Sequence, residues 1–587
     1  MKGILKFAFV ACLAVVAGSA SAKAQTVVLD GLGSSGLFLE LGLGANSSAG
    51  TLHAACVWSE NTNTAIATDT SLSTTTPGID KGSAFVAWTK GSDGTCATAG
   101  NIYAYESTDS VVGNRCLYNS NLAGGSKCSI SYATAPTAPV GLILTGGVAN
   151  CGTTGECPLP ASVVSALDSS TQLVNFAGTD IRPEDAKFAT TRALTNCGTV
   201  VGSSTQYLGL GYAAGSHILT GVANSTSFFN VLDFTLPAVF VTPVGATPII
   251  VAVNDASGTG LRSFSTIGSQ ALANFLDGTS SVTGQVSSPT GTGSGVTVFI
   301  REPLSGTYNT MEFNAPNRVG TLNGTFATSQ DVGLNQPAAQ VNCTLTKANS
   351  ATWPIPAPAP GAALTSTVLK NPLDFTTPGT GGTGSRIRAI GTGQELSSVV
   401  GNTSNSLGYG FWSAANFAGF SAVSTTAKYY SVDGIDPLGA SGTIPTTSAQ
   451  LANVSLTTTA DGKYPIWSML RLVNVGTTQN ANVAALSSAA QAFSVAAHPD
   501  FVPLTNMLVV RSHFAPPAQT LTAADGSGST AFGTNAATAC TLPENGGDVG
   551  GVVIGLKTNS LSQSPLTVSD NSFCTSTNVT GQTGHRR

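Results

Sequence analysis

The chain has 587 residues, and only 9% of them are charged, against a norm near 25%. Gly, Ser, Thr and Ala dominate instead, so the surface must be wetted by hydroxyls and amides rather than ions. A net charge of −5 and the absence of any Lys/Arg cluster exclude a basic field for nucleic acid, and no acidic run marks an interaction tail.

In chain order, Met1–Lys6 opens with two lysines, Phe7–Ala17 is apolar, and Ala20-Ser21-Ala22 or Ala22-Lys23-Ala24 provides small residues for cleavage. This pattern predicts a signal peptide over 1–24. The apolar run is shorter than the roughly 18 residues a spanning helix needs. A soluble, exported mature chain is expected, periplasmic or secreted. Setting aside Cys12 leaves ten of the 11 cysteines. In an oxidising compartment an even number predicts disulfides rather than a metal site, and no CxxC pair occurs. Cys151–Cys157 and Cys116–Cys128 bracket short Gly-containing loops and are the expected local bridges; Cys540–Cys574 would tie down the tail. The pairing of Cys56, Cys96, Cys197 and Cys343 stays open.

Val27-Val28-Leu29 reads as a strand leading into Gly31-Leu32-Gly33-Ser34-Ser35-Gly36. Ile249–Val253 and Val298–Ile300 are continuous apolar runs, as in strands buried on both faces. Ala484–Ala497 is an Ala-rich amphipathic segment that predicts a helix ending near His498-Pro499. Pro354–Pro360 is too proline-dense for either element and reads as an extended linker. Ser/Thr/Gly-rich stretches around 57–100, 115–165, 190–235 and 320–385 read as insertions forming surface loops or hairpins.

The most informative segment is Val298-Phe299-Ile300-Arg301-Glu302-Pro303-Leu304-Ser305-Gly306-Thr307, a strand that runs into an Arg and then a Ser-Gly-Thr turn before a helix. An Arg offers a planar fork to two oxygens of one anion. The hydroxyls of Ser305 and Thr307 and the backbone at Gly306 add donors. The bland alternatives are a polar loop, a helix N-cap at Ser305, and an Arg301–Glu302 surface ion pair.

Other segments point the same way. The set resembles the phosphate-binding protein of the high-affinity phosphate ABC importer, within the type II periplasmic binding proteins. The Gly31–Gly36 loop is similar to that family's first-strand loop. Tyr105-Glu106-Ser107-Thr108-Asp109-Ser110-Val111-Val112-Gly113 resembles its Tyr-x-x-x-Gly-Ser-x-x-Gly loop, with Asp109 in place of a glycine. Phe176-Ala177-Gly178-Thr179-Asp180 approximates a third loop. Pro243–Asn254, Gly393–Val400, Asn405–Gly410 and Lys463–Trp467 follow in the family's order.

The resemblance implies an α/β, two-lobed type II periplasmic-binding-protein fold with long Ser/Thr/Gly-rich insertions. Residues 25–248 would form the first part of lobe 1, 249–462 lobe 2, and 463–587 the return to lobe 1. It implies capture of phosphate or a related tetrahedral oxyanion for ABC import, with a transporter permease as partner, no cofactor and no enzymatic activity. The implied ligand-binding residues are Ser34 or Ser35, Ser110, Asp180, Arg301, Ser305, Gly306 and Thr307. Asp180 would accept a hydrogen bond from a protonated phosphate oxygen, or else cap a helix beginning near Pro183. One departure stands out: where the family has an acidic residue two positions after the Arg, this chain has Pro303. The task of orienting Arg301 would then fall to Glu302 or be absent.

Two other classes remain from the residues alone. A β-rich structural or adhesive protein would show hairpins throughout and no helix after Thr307. A secreted phosphohydrolase would need metal ligands or an activated nucleophile, yet the five histidines are scattered and no nucleophile elbow or His-Glu-x-x-His motif occurs.

Overall fold

A computed structural model of the protein describes residues 25–181, 239–315 and 391–507, with gaps inside each of which 62–81 is the longest, together with 385–389 and the short strand segments 207–208, 212–213, 510–511 and 552–553. The signal-peptide segment, Glu302, the Pro354–Pro360 stretch, the helix expected near Pro183, and Cys197, Cys343, Cys540 and Cys574 lie outside the described residues.

The first half of the chain supplies β1 (Thr26–Ser34), α1 (Phe38–Asn46), β2 (Cys56–Glu60), β3 (Ser83–Lys90), β4 (Ala99–Thr108), α2 (Ser110–Asn121), α3 (Ala161–Leu167) and β5 (Phe176–Thr179). β6 (Val239–Asn254) follows, then α4 (Ser269–Asp277), β7 (Thr297–Arg301), α5 (Gly306–Glu312), β8 (Ser385–Ala389), α6 (Thr392–Gly401), β9 (Ser406–Phe411), α7 (Ala414–Phe417) and β10 (Ala427–Val432). The chain returns through β11 (Trp467–Val475), α8 (Asn480–Ala496) and β12 (Val502–Pro503). The apolar runs at 249–253 and 298–300 are thus strands, and the Ala-rich run at 484–497 is a helix. The helices α5, α6 and α8, all after position 305, run against a chain of hairpins.

These strands join one mixed sheet in the order β8-β7-β9-β6-β11-β5-β1-β4-β3-β2, with β10 and β12 also pairing with β6. β6 links its two halves. Its first part, Val239–Pro248, pairs antiparallel with β11, and its second part, Ile249–Asn254, pairs antiparallel with β9. Every residue of β6 from Pro243 on is buried, which explains the unbroken apolar run.

Each half has its own core. On one face of the first half, Trp58, Trp88, Ile102, Tyr118 and Val163 pack together; on the other, Leu41, Phe85, Tyr105, Phe176, Leu470 and Leu486 do so. The second half is built around Ile249, Val251, Phe275, Ile300 and Tyr409 on one face and Phe299, Trp412, Tyr429 and Trp467 on the other.

The stretches 57–100 and 115–165, expected as surface loops or hairpins, are buried over much of their described length; the antiparallel pairing in the first matches the hairpin alternative, and its burial is the correction. The described part of the first forms β2 and β3, an antiparallel pair that extends the main sheet beside β4. Trp58 and Trp88 are fully buried there. The second holds most of α2, most of α3, and buried Tyr118, Tyr132 and Leu159. A Ser/Thr/Gly-rich composition concealed strands whose inward positions carry the aromatics.

Cys116–Cys128 and Cys151–Cys157 are at bonding distance, as their spacing suggested, and Cys56–Cys96 forms a third pair across 40 residues. The sulfurs of Cys56, Cys96 and Cys157 lie within 4.8 Å of one another. All three are taken up in disulfides, which leaves no thiolate there for a metal.

Candidate functional site

The site grows from strand ends. β1 runs parallel to both β4 and β5, with Ser34 beside Thr108 and Gly33 beside Gly178, so all three strands end at one edge. The residues that follow, Ser35-Gly36, Asp109-Ser110 and Asp180, are brought together there. In open parallel sheets ligands bind outside the carboxyl ends of the strands. Gly33 has φ of +142°, and a Cβ there would lie 1.9 Å from the Gly178 carbonyl oxygen. Only glycine lets β1 and β5 approach so closely and hold their loops side by side.

The second half presents a matching edge. β7 and β8 are parallel, with Arg301 opposite Ala389, and each passes into a helix. Ser305-Gly306-Thr307 opens α5 and Thr392 opens α6.

The two edges meet at Arg301, which is 2% exposed. Its Nη2 donates to Asp109 Oδ1 at 2.7 Å, from the opposite half. Its Nη1 donates to Thr392 Oγ1 at 2.5 Å and to Thr307 Oγ1 at 3.5 Å. Glu395 Oε2 lies 4.0 Å from Nε, and Glu395 Oε1 accepts from the Tyr409 amide at 2.9 Å. The Arg301 amide itself donates to the Tyr409 hydroxyl at 3.3 Å.

Asp180, 1% exposed, forms the other focus. The Ser110 hydroxyl donates to its Oδ1, and its amide donates back to Ser110 Oγ at 3.2 Å. Ser468 Oγ donates to its carbonyl. The Asp180 carboxylate reaches Gly306 from the other half of the sheet: a Cβ on Gly306 would fall 1.6 Å from Oδ1. Any side chain at Gly306 would push that carboxylate out. The Tyr105 hydroxyl donates to the Ser34 carbonyl at 2.8 Å. Burial, reinforced by the charge of Asp180, drives its pKa far above the ordinary tyrosine value, so it stays a neutral donor.

Of the residues singled out from the sequence, Ser110, Asp180, Arg301, Gly306 and Thr307 are therefore in mutual contact or one side chain apart. Ser34 and Ser35 stand at the same strand edge, but Ser34 Oγ accepts from the Gly36 amide at 3.3 Å, within its own turn. Ser305 Oγ accepts from the Tyr308 amide at 3.4 Å, as a helix N-cap does. Glu302, to which the orienting of Arg301 would fall unless that role were absent, lies outside the described residues; among the described ones the carboxylates placed against the guanidinium are Asp109 and Glu395. Asp109, Thr392 and Glu395 were not picked out as site residues. Asp109 stood in the sequence only as an odd acid in a loop that otherwise favours glycine.

No family model matches the chain, and neither does any curated protein. Solved structures do align with it. They include a phosphate-binding protein from Stenotrophomonas maltophilia (15% identity, 71% of this chain and 87% of that one, TM-score 0.28). An ABC-type phosphate transport receptor from Vibrio cholerae aligns at 14% identity over 44% of this chain and 72% of that one, TM-score 0.24. The ancestral soluble variant of the human phosphate-binding protein aligns at 15% identity over 61% and 86%, TM-score 0.26. At such values the function has to be argued from the site itself.

Proposed function

We propose that the chain is an exported solute-binding protein that captures inorganic phosphate, or a closely similar tetrahedral oxyanion, between two lobes for ABC import. The lobes are 25–248 with 463–587, and 249–462. The observation that carries this reading is the convergence of Arg301, Thr307 and Gly306 from one half of the sheet on Ser110 and Asp180 from the other. An arginine fork, hydroxyl donors and one proton-accepting carboxylate are the groups that a partly protonated oxyanion uses. Each is buried, where such bonds count most. Ser34, Ser35 and Ser305 complete the loops around it.

We read the set as one for binding rather than turnover, since its fork, hydroxyls and carboxylate match the donors and acceptor of a bound oxyanion. Calorimetric titration of the dialysed protein with phosphate, arsenate and sulfate tests the reading. Saturable binding of phosphate that Arg301→Ala abolishes is expected; no heat from any of the three anions overturns it.

A further inference from the structure

The cleft holds more negative charge than one anion-binding arginine explains. Around Arg301 and Ser110 stand three carboxylates, all buried: Asp109, Asp180 and Glu395. Glu395 is engaged behind the guanidinium, with Oε1 on the Tyr409 amide and Oε2 toward Nε. The other two flank Ser110. Asp109 precedes it in the chain and holds Arg301 Nη2, while Asp180 accepts the Ser110 hydroxyl. An oxyanion seated on Arg301 and Ser110 therefore meets a carboxylate on either side. The Tyr105 hydroxyl is neutral; the elements packed here also carry the buried Arg115, on α2 after Asp109 and Ser110, and the buried Arg471, on β11 opposite Thr179.

A carboxylate and an oxyanion oxygen can share a short contact only through a proton; without one they repel in a buried site. Two carboxylates call for two protons. We propose that Asp109 is a second proton-accepting specificity residue beside Asp180, so that the site takes the dihydrogen form of phosphate or arsenate. This rests on the oxyanion-binding reading above. Sulfate, with no proton near neutrality, meets two repulsions. A phosphate monoester has only one proton to give and meets at least one, so it too is rejected. Discrimination comes from charges placed against the wrong ligand. Asp109 meanwhile keeps Arg301 aimed across the cleft, the task that Pro303 cannot perform.

The form that binds disappears as pH rises through the second ionisation of phosphate, roughly tenfold per pH unit above it. The test is calorimetric titration of the wild type and Asp109→Asn with inorganic phosphate, methyl phosphate and sulfate at about pH 6 and about pH 9, with thermal melting of each protein as a check on folding. For the wild type, phosphate affinity is expected to fall on the order of a hundredfold across that interval, with no methyl phosphate bound. Asp109→Asn replaces an acceptor by an amide that can donate to an unprotonated oxygen. It is expected to narrow the pH dependence and to admit methyl phosphate. Equal phosphate affinity for the wild type at both pH values overturns the proposal whether or not the variant folds. So does an Asp109→Asn that weakens phosphate by one factor at both pH values and still excludes the monoester, because Asp109 then only steers Arg301. A wild type that binds no phosphate at either pH instead removes the oxyanion reading itself.

Discussion

Arg301 shows how a single buried cation can organise two halves of a chain. Its guanidinium is bonded to Asp109 from the first half and to Thr392 and Thr307 from the second. Removing it does two things at once. Arg301→Ala takes the fork from the ligand and leaves Asp109 and Glu395 buried without their cation, a loss of about 3–5 kcal/mol when one partner of a buried pair goes. Chemical denaturation is expected to show that loss, and titration no binding of phosphate or sulfate; a variant as stable as the wild type would mean that solvent reaches the pair. Asp180→Asn makes a gentler change, since the shape stays while an acceptor becomes a donor. It is expected to weaken phosphate by about 1–3 kcal/mol and to relax discrimination against sulfate. An unchanged phosphate-to-sulfate ratio would reduce Asp180 to a structural partner of Ser110.

At the scale of elements, what could be read in advance was what is local. β6 and β7 declare themselves by unbroken apolar runs, α8 by its alanines, and the turn at Ser305-Gly306-Thr307 by its proximity to Arg301. The β2–β3 pair was hidden because Ser, Thr and Gly dominate the stretch around it, although most of its own residues are buried. Asp109 and Glu395 were hidden for a different reason: their value lies in contacts with Arg301 made across 192 and 94 positions, which no local pattern encodes. β1 carries one more feature that its sequence alone does not price. Asp30 sits in the middle of that strand, fully buried, and burial, with the charge of Asp168 adding to it, pushes its carboxyl up to about 8. A carboxyl whose folded-state pKa is raised contributes most below its unfolded value of about 3.9, where both states hold the proton. Above that the unfolded chain releases its proton while the folded one retains it, so stability falls as pH rises toward 8. Asp30→Asn removes this slope. Urea midpoints at about pH 5 and about pH 8 are expected to differ less for the variant than for the wild type. Equal differences would show that Asp30 is already ionised in the folded protein.

Taken whole, the molecule joins its two halves by continuous strands and by polar contacts on either side of them. β6 passes from one half to the other without a break. Beside it the Thr247 hydroxyl, near the midpoint of that strand, donates to the carbonyls of Trp412 and Asp500 at 3.2 Å each. The Asp500 carboxylate accepts from the Ala414 amide at 2.8 Å, tying the returning segment to α7. On the site side, Arg301 and Asp109 form a direct cross-link. A ligand that sits between the two edges adds further bonds spanning both, and it can do so only while the halves are folded and facing. Such a ligand stabilises the native state by RT ln(1 + [L]/Kd), roughly 2.7 kcal/mol at a hundredfold excess over Kd. Calorimetric melting is therefore expected to show one transition moving upward in millimolar phosphate, with both halves shifting together. Arg301→Ala should melt at the same temperature with and without the anion. If phosphate moves the wild-type transition no more than an equal concentration of chloride does, no anion is held between the edges.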